Sequence, residues 1–149
     1  MIGEKAFYSC RFLLSCEFPQ CSTIGSSAFD NCTLLTTISF PNCVAINDYA
    51  FRSCKLSSQV TFPNCAFVYR YAFNSAFQYS VSWNVLKLPK ITYIASYAFA
   101  NAYLDEIWLG SEDCNENLII EGYAFNFPLW TSRLSSDPFA IYLPGLSLA

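Results

Sequence analysis

The chain has 149 residues, of which 54% are hydrophobic and only 13% are charged, and this composition excludes an intrinsically disordered protein. It contains no histidine, so His-dependent catalytic sites and His-ligated zinc or haem are excluded as well. The net charge is -3 and the eight lysines and arginines form no basic run, which argues against nucleic-acid binding. No uncharged stretch is long enough to span a bilayer as a helix, so no membrane span is predicted.

Alanine-phenylalanine pairs recur along the whole chain. They begin at residues 6, 28, 50, 72, 98 and 124, so the spacing is 22 residues three times and then 26 residues twice. A branched aliphatic residue stands four positions before each alanine, and a small residue, cysteine or alanine, stands four positions after it in the first five units. Matched positions at a fixed period predict a solenoid, in which each unit forms one coil and buries its apolar side against its neighbours. We therefore expect a single domain of about six coils over residues 1–149.

Each unit contains the pattern of one short strand followed by a turn. In Ile38-Ser39-Phe40-Pro41 the alternation predicts a strand with Ile38 and Phe40 facing inward and Ser39 facing outward. The proline ends the strand, and Asn42 suits a turn in which the amide bonds to its own backbone. The segment from Ile24 to Cys32 is too short for more than a turn or two of helix, so we expect irregular turns or 3-10 segments there.

The outward strand positions form the candidate binding surface. Rigid exposed aromatics contribute much contact area for little loss of entropy, so Trp108 and Tyr142, beside an acidic segment, are the strongest candidates for ligand contact. The structural alternative is that inserted loops or the C-terminal segment cover Trp108. The predicted site comprises Glu17, Ser39, Thr61, Lys87, Trp108 and Tyr142 in one row and Glu106 in the neighbouring row, together with Ser15, Thr37, Gln59, Val85 and Ala140.

The cysteines follow the repeat. Six of the eight form two rows with 22-residue spacing, at residues 10, 32 and 54 and at residues 21, 43 and 65, while Cys16 and Cys114 lie outside them. Alanine takes the place of cysteine at Ala76 and Ala102, and this favours buried free thiols over disulfides. Metal binding is the weakest alternative because the sequence has no Cys-x-x-Cys pair.

A second recurring row consists of tyrosines that directly precede alanine-phenylalanine pairs. These are Tyr49, Tyr71, Tyr97 and Tyr123, and a stacked column that shields the side of the coils is expected from them.

The pattern I-G-x-x-A-F-x-x-C-x-x-L-x-x-I-x-F-P, which runs from Ile24 to Pro41, resembles the BspA-like leucine-rich repeat of bacterial and protist surface proteins. The resemblance implies an α/β repeat: a right-handed solenoid with a parallel β-sheet on its concave face and short turns or 3-10 segments on its convex face. It further implies an extracellular or cell-surface module of a secreted parent protein that binds a protein or glycan ligand in adhesion. It implies no catalytic residue, cofactor or metal. A structural spacer or stalk in a larger surface protein is the alternative function.

Two insertions and the N-terminal end depart from the repeat. Four extra residues precede Leu86 and bring in Tyr79 and Trp83, and an acidic insertion occupies residues 111–117. Insertions in solenoids project as loops, often on a binding face. The chain begins in mid-repeat at Ile2 without a polar cap, which predicts a piece of a longer array or an end-to-end contact through the first coil.

Overall fold

A computed structural model of the chain describes residues 1–57, 59–77, 83–110, 118–126 and 140–143. Within these ranges the chain forms short β-strands and no helix, so the described residues include no helix that could cross a membrane. The strands are β1 (Ser15–Glu17), β2 (Thr23–Ile24), β3 (Thr37–Ser39), β4 (Ala45–Ile46), β5 (Gln59–Thr61), β6 (Phe67–Val68), β7 (Val85–Leu88), β8 (Tyr93–Ile94), β9 (Glu106–Leu109), β10 (Ile119–Ile120) and β11 (Ala140–Tyr142).

The strands form two sides of a solenoid, and every pairing is parallel. On the first side β1 pairs with β3, and β5, β7, β9 and β11 pair in that order. On the second side β2, β4, β6, β8 and β10 pair in that order, and a bridge from Ile2 to Ile24 extends this sheet to the first coil. Neighbouring strands in each sheet follow the chain order of the repeats, so successive coils stack directly on one another. We call the two sides the first sheet and the second sheet.

A ladder of turns, without strands, forms a third side. In the first five units, the residue before the alanine-phenylalanine pair and the residue four positions after it both have positive φ, as in Tyr49 (59°) and Ser53 (58°). Backbone N–H groups therefore point alternately along the stack and within the coil. The Phe51 N–H donates to the Ala72 carbonyl of the next coil at 2.8 Å, whereas the Ala50 N–H donates to Asn47 of its own coil at 3.2 Å.

The turn geometry leaves part of the predicted fold class unconfirmed. A helix needs consecutive right-handed residues, and a left-handed residue at every fourth position prevents one from forming. The turns of the prediction are confirmed, whereas its α/β and 3-10 components are not found in the described residues. The handedness and the curvature of the solenoid stay predictions.

Phenylalanine columns fill the core. Phe29 stacks on Phe51 at 5.3 Å between ring centroids and Phe51 stacks on Phe73 at 5.4 Å, with interplanar angles of 4° and 16°. A second column meets the first edge-on, with Phe40 5.9 Å from Phe51 at 64°. The first column consists of Phe7, Phe29, Phe51, Phe73, Phe99 and Phe125, and the second of Phe18, Phe40 and Phe62.

Cysteine thiols bond the coils to one another. The Cys32 thiol donates to the Phe7 carbonyl of the preceding coil at 3.0 Å, and the Cys54 thiol donates to Phe29 at 3.2 Å. Burial raises the pKa of Cys32 to about 11. The described cysteines are free, and the prediction of buried thiols is confirmed for Cys21, Cys32, Cys43, Cys54 and Cys65. Cys10 is exposed and Cys16 is half-buried, and Cys114 lies outside the described residues.

The asparagines that follow β3 and β5 also bond between coils. The Asn42 amide donates to the Pro19 carbonyl at 2.8 Å, and the Asn64 amide donates to Pro41 at 2.9 Å. The prediction that this amide bonds to its own backbone is wrong. Stacking brings the proline carbonyl of the preceding coil within reach of the amide, and only the stacked structure contains that acceptor.

Candidate binding face

The structure brings the predicted site residues into lateral rows on the outside of the first sheet. Glu17 lies opposite Ser39 in register, and in the longer part of the sheet Thr61 is followed by Lys87, Trp108 and Tyr142 on successive strands. We call this outer surface the first-sheet face.

The neighbouring row is partly closed to solvent. Gln59, Val85, Glu106 and Ala140 lie on successive strands in register. Gln59 is exposed as expected, whereas Val85 is only 4% exposed, so the prediction of a fully exposed row is wrong at this position. An apolar branched side chain gains free energy from being covered, and Val85 is the apolar member of the row between a glutamine and a glutamate.

Trp108 is held between two neighbouring strands. Its ring stacks on Tyr142 with 4.2 Å between centroids and 11° between planes. Lys87, on the strand at the other side of Trp108, has its ammonium 5.4 Å from the Trp108 centroid, which is cation-π distance. Stacking and cation-π attraction therefore fix one orientation of the indole, and Trp108 remains half-exposed.

Glu106 joins two tryptophans. One carboxylate oxygen accepts a hydrogen bond from the Trp108 indole N–H at 2.9 Å, and the other accepts one from the Trp83 indole N–H at 3.0 Å. Trp83 is 46% exposed. Charged acceptors strengthen such bonds, so one carboxylate orients both indoles. We call Trp83, Lys87, Glu106, Trp108 and Tyr142 the aromatic cluster.

Sequence reasoning placed Trp83 in an insertion but missed its contact with Glu106. The alternation of side chains along a strand could have revealed this contact. Residues two positions apart point to the same face, so Trp83, Val85 and Lys87 share one side of the chain. The backbone at this point is fastened to the next coil. The Asn84 N–H donates to the Asp105 carboxylate at 2.7 Å, and the Asn84 side-chain amide donates to the Tyr103 carbonyl at 2.9 Å.

The chemistry of the aromatic cluster suits binding. Its carboxylate accepts two indole N–H groups and its ammonium lies over a ring, so the polar groups hold the aromatic surfaces in place. The described residues contain no group of three or more carboxylates and thiols that could hold a metal ion. The cluster therefore offers a preoriented aromatic surface with one charge of each sign at its centre.

The third side carries the predicted tyrosine column, which the structure confirms. Tyr49, Tyr71, Tyr97 and Tyr123 stack at 5.1, 5.2 and 5.4 Å. The Arg52 guanidinium lies 4.8 Å from the Tyr49 centroid and forms a two-bond ion pair, at 2.9 and 2.7 Å, with the buried carboxylate of Asp30 in the preceding coil. This side is thus fastened by ring stacking and by an ion pair between coils.

Parallel coils stacked in register around columns of inward phenylalanines define a β-solenoid repeat module. The chain belongs to the BspA-type leucine-rich repeat family, whose model matches residues 1–127 in six copies. Members of this kind are protein-interaction or structural repeat modules and are generally non-catalytic. Comparison with curated proteins and with solved structures finds no significant match.

Proposed function

We propose that the chain is a non-catalytic module of an extracellular or cell-surface protein that binds a protein or glycan ligand through the first-sheet face. The observation that carries this proposal is the aromatic cluster, in which Trp83 and Trp108 are held by a single carboxylate and remain partly exposed. Preorganised aromatics lose little entropy when a ligand covers them, so most of their contact area contributes to affinity.

The rest of the face supplies a polar margin. Glu17, Ser39 and Thr61 are exposed on strands that continue away from the cluster. A buried aromatic centre with a polar, solvated rim is the usual anatomy of a binding interface. We take this face as the concave side of a right-handed solenoid used in adhesion, as the family resemblance implies, and the typical place of this family in surface proteins supports the location.

The test is a screen of the purified chain on arrays of extracellular proteins and of glycans, followed by affinity measurements for each hit. Trp83→Ala and Trp108→Ala should each weaken binding by about thirtyfold, as expected when a hot-spot residue worth roughly 2 kcal/mol is removed. Tyr123→Ala is the matched control, because Tyr123 is an exposed aromatic on the turn side. Equal affinities for all three variants and the wild type would contradict the proposed site.

A structural spacer is the second candidate function. It is favoured by the small polar residues Ser39 and Thr61 at the exposed middle of the face, which offer little surface for recognition. A spacer predicts that the wild-type chain binds no member of either array while its unfolding stays cooperative. A hit that depends on Trp108 decides against the spacer.

A further inference from the structure

The aromatic cluster already holds one cation of its own. The Lys87 ammonium lies 5.4 Å from the Trp108 centroid, within the distance at which a ring attracts a positive charge. Lys87 and Trp108 are partners in register on β7 and β9, so the stacking of the coils brings the ammonium to the ring. Among the described residues no carboxylate forms an ion pair with Lys87. The contact of this ammonium is therefore the ring, and the cluster attracts positive charge by its own chemistry.

Trp83 offers a second ring that is more open than the first. Tyr142 and Lys87 flank Trp108 from its two neighbouring strands. Trp83 is 46% exposed, and in the described part of the chain neither another ring nor a cation lies against it. Its indole N–H is bonded to Glu106 at 3.0 Å, so the ring is oriented before a ligand arrives. Trp83 is thus the indole that an incoming cation can cover.

Glu106 supplies negative charge beside this ring. An ionised carboxylate has about four acceptor sites, and the two indole N–H groups of the cluster use two of them. No lysine or arginine within the described ranges forms an ion pair with Glu106. Glu106 is half-buried, and at such a position solvent and salt screen a charge less than at a fully exposed one. The carboxylate can therefore accept further N–H groups from a positively charged partner.

The charge around the cluster is negative as a whole. Asp105 directly precedes Glu106 in the chain and its side chain is 7% exposed, whereas Lys87 is the one positive member of the cluster. The whole chain carries a net charge of -3. A field of this sign speeds the approach of a basic partner and disfavours an acidic one. Charge complementarity thus selects a cationic ligand.

We propose that the aromatic cluster binds an arginine side chain in a basic segment of a protein ligand, with the guanidinium on the Trp83 ring and against the Glu106 carboxylate. A guanidinium is planar, stacks on aromatic rings and donates two parallel N–H groups to a carboxylate, whereas an ammonium is a compact point charge. A neutral glycan brings no charge to Glu106, and an acidic glycan is repelled by it. This inference rests on the proposed function, because it names the ligand class of the same site.

Titration with short blocked peptides tests the inference on the wild-type chain, with the Trp83 indole N–H signal followed by nuclear magnetic resonance. The peptide acetyl-Gly-Arg-Gly-amide should shift this signal and bind about fivefold more tightly than its lysine counterpart. The citrulline counterpart has nearly the same shape without the charge, and it should bind about tenfold more weakly than the arginine peptide. Raising the salt concentration from about 50 to about 500 mM should weaken the arginine peptide severalfold.

Two charge-removing variants give effects of opposite sign. Lys87→Gln removes a positive charge that competes with the ligand, so it should tighten binding of the arginine peptide by about threefold. Glu106→Gln removes the charged acceptor and should weaken binding by about tenfold. Lys90→Gln and Glu4→Gln are the matched controls, because both residues are exposed and lie outside the cluster, and they should leave the affinity unchanged.

The inference fails if the arginine peptide leaves the Trp83 signal unmoved, or if the arginine peptide binds no more tightly than its lysine or citrulline counterpart. Weaker binding in Lys87→Gln, or unchanged binding in Glu106→Gln, overturns it as well. The array screen separates this failure from failure of the proposed function. A glycan or acidic-protein hit that depends on Trp83 and Trp108 overturns the arginine assignment and keeps the first-sheet face as the binding site. Hits that depend on neither tryptophan overturn both.

Discussion

Replacing Phe51 by alanine tests the stacked core most directly. Phe51 is fully buried and stacks on Phe29 at 5.3 Å and on Phe73 at 5.4 Å, with a further ring contact to Phe40 at 5.9 Å. Truncating a buried phenylalanine costs about 3–5 kcal/mol, because apolar contact is lost and a cavity is left. We expect Phe51→Ala to fall in this range, which is a large part of the roughly 5–15 kcal/mol by which such a domain is stable.

Phe7→Ala provides the matched control within the same column. Phe7 is half-buried and stacks on Phe29 in the next coil, at 5.0 Å. The same chemical change at this position should cost about half as much, roughly 1.5–2.5 kcal/mol, since less surface is covered and the cavity opens to solvent. The expected order of the two losses follows from column position alone.

Urea denaturation followed by far-ultraviolet circular dichroism measures both losses. The midpoint should fall in each variant while the slope of unfolding free energy against urea stays near that of the wild type. Equal losses in the two variants, or a loss below about 1 kcal/mol for Phe51→Ala, would refute the reasoning that the phenylalanines form one stacked column.

Three further perturbations probe contacts between coils. Arg52→Ala leaves the buried Asp30 carboxylate without its two-bond partner and should cost about 1–3 kcal/mol by urea denaturation, a value reduced because the Arg52 side chain is 40% exposed. Gly25→Ala places a Cβ atom 2.7 Å from backbone atoms of the first coil and should lower the melting temperature, whereas Gly122→Ala, with nothing within 4 Å of the new atom, should not. Raising the pH should destabilise the chain, because burial raises the pKa of Cys43 from 9.0 to about 12. The stability that the neutral thiol provides is complete below the ordinary thiol pKa and is lost as the pH rises towards the folded value, so Cys43→Ala should flatten the fall in melting temperature.

Each of these expectations has an opposite outcome. An unchanged stability in Arg52→Ala would show that water replaces the guanidinium at no cost. Equal melting temperatures for Gly25→Ala and Gly122→Ala would contradict the close packing of the first two coils. An identical alkaline profile with and without Cys43 would contradict its burial as a thiol. Free thiol near zero after unfolding would restore disulfides as the correct interpretation.

Repetition made the core predictable from the sequence. Because the same residue types recur at a constant spacing, the repeat alone determines which side chains meet in neighbouring coils. Secondary-structure propensities were therefore not needed to predict the phenylalanine and tyrosine columns, the cysteine rows and the outward rows of the first sheet. Leu56 shows the tolerance of the pattern, since it stands one position early in its unit and is still fully buried.

Contacts that depend on the path of the backbone were not predictable. Each strand of the second sheet is two residues long, as in Thr23–Ile24, and so short a segment carries no alternation. Its hydrogen bonds, and those of Asn42, run to neighbouring coils, so no local sequence signal encodes them. The bond between Trp83 and Glu106 depends on how a four-residue insertion returns to the sheet, and the repeat itself does not specify that path.

Nuclear magnetic resonance of the chain with labelled tryptophans tests the proposed binding role of the aromatic cluster most directly. The indole N–H signals of Trp83 and Trp108, assigned with Trp83→Phe and Trp108→Phe, lie at the bonds to Glu106 and report on any change there. We predict that titration with a ligand identified by the array screen shifts both signals in proportion to saturation. Saturation with both signals unmoved would contradict the assignment of the first-sheet face as the binding site.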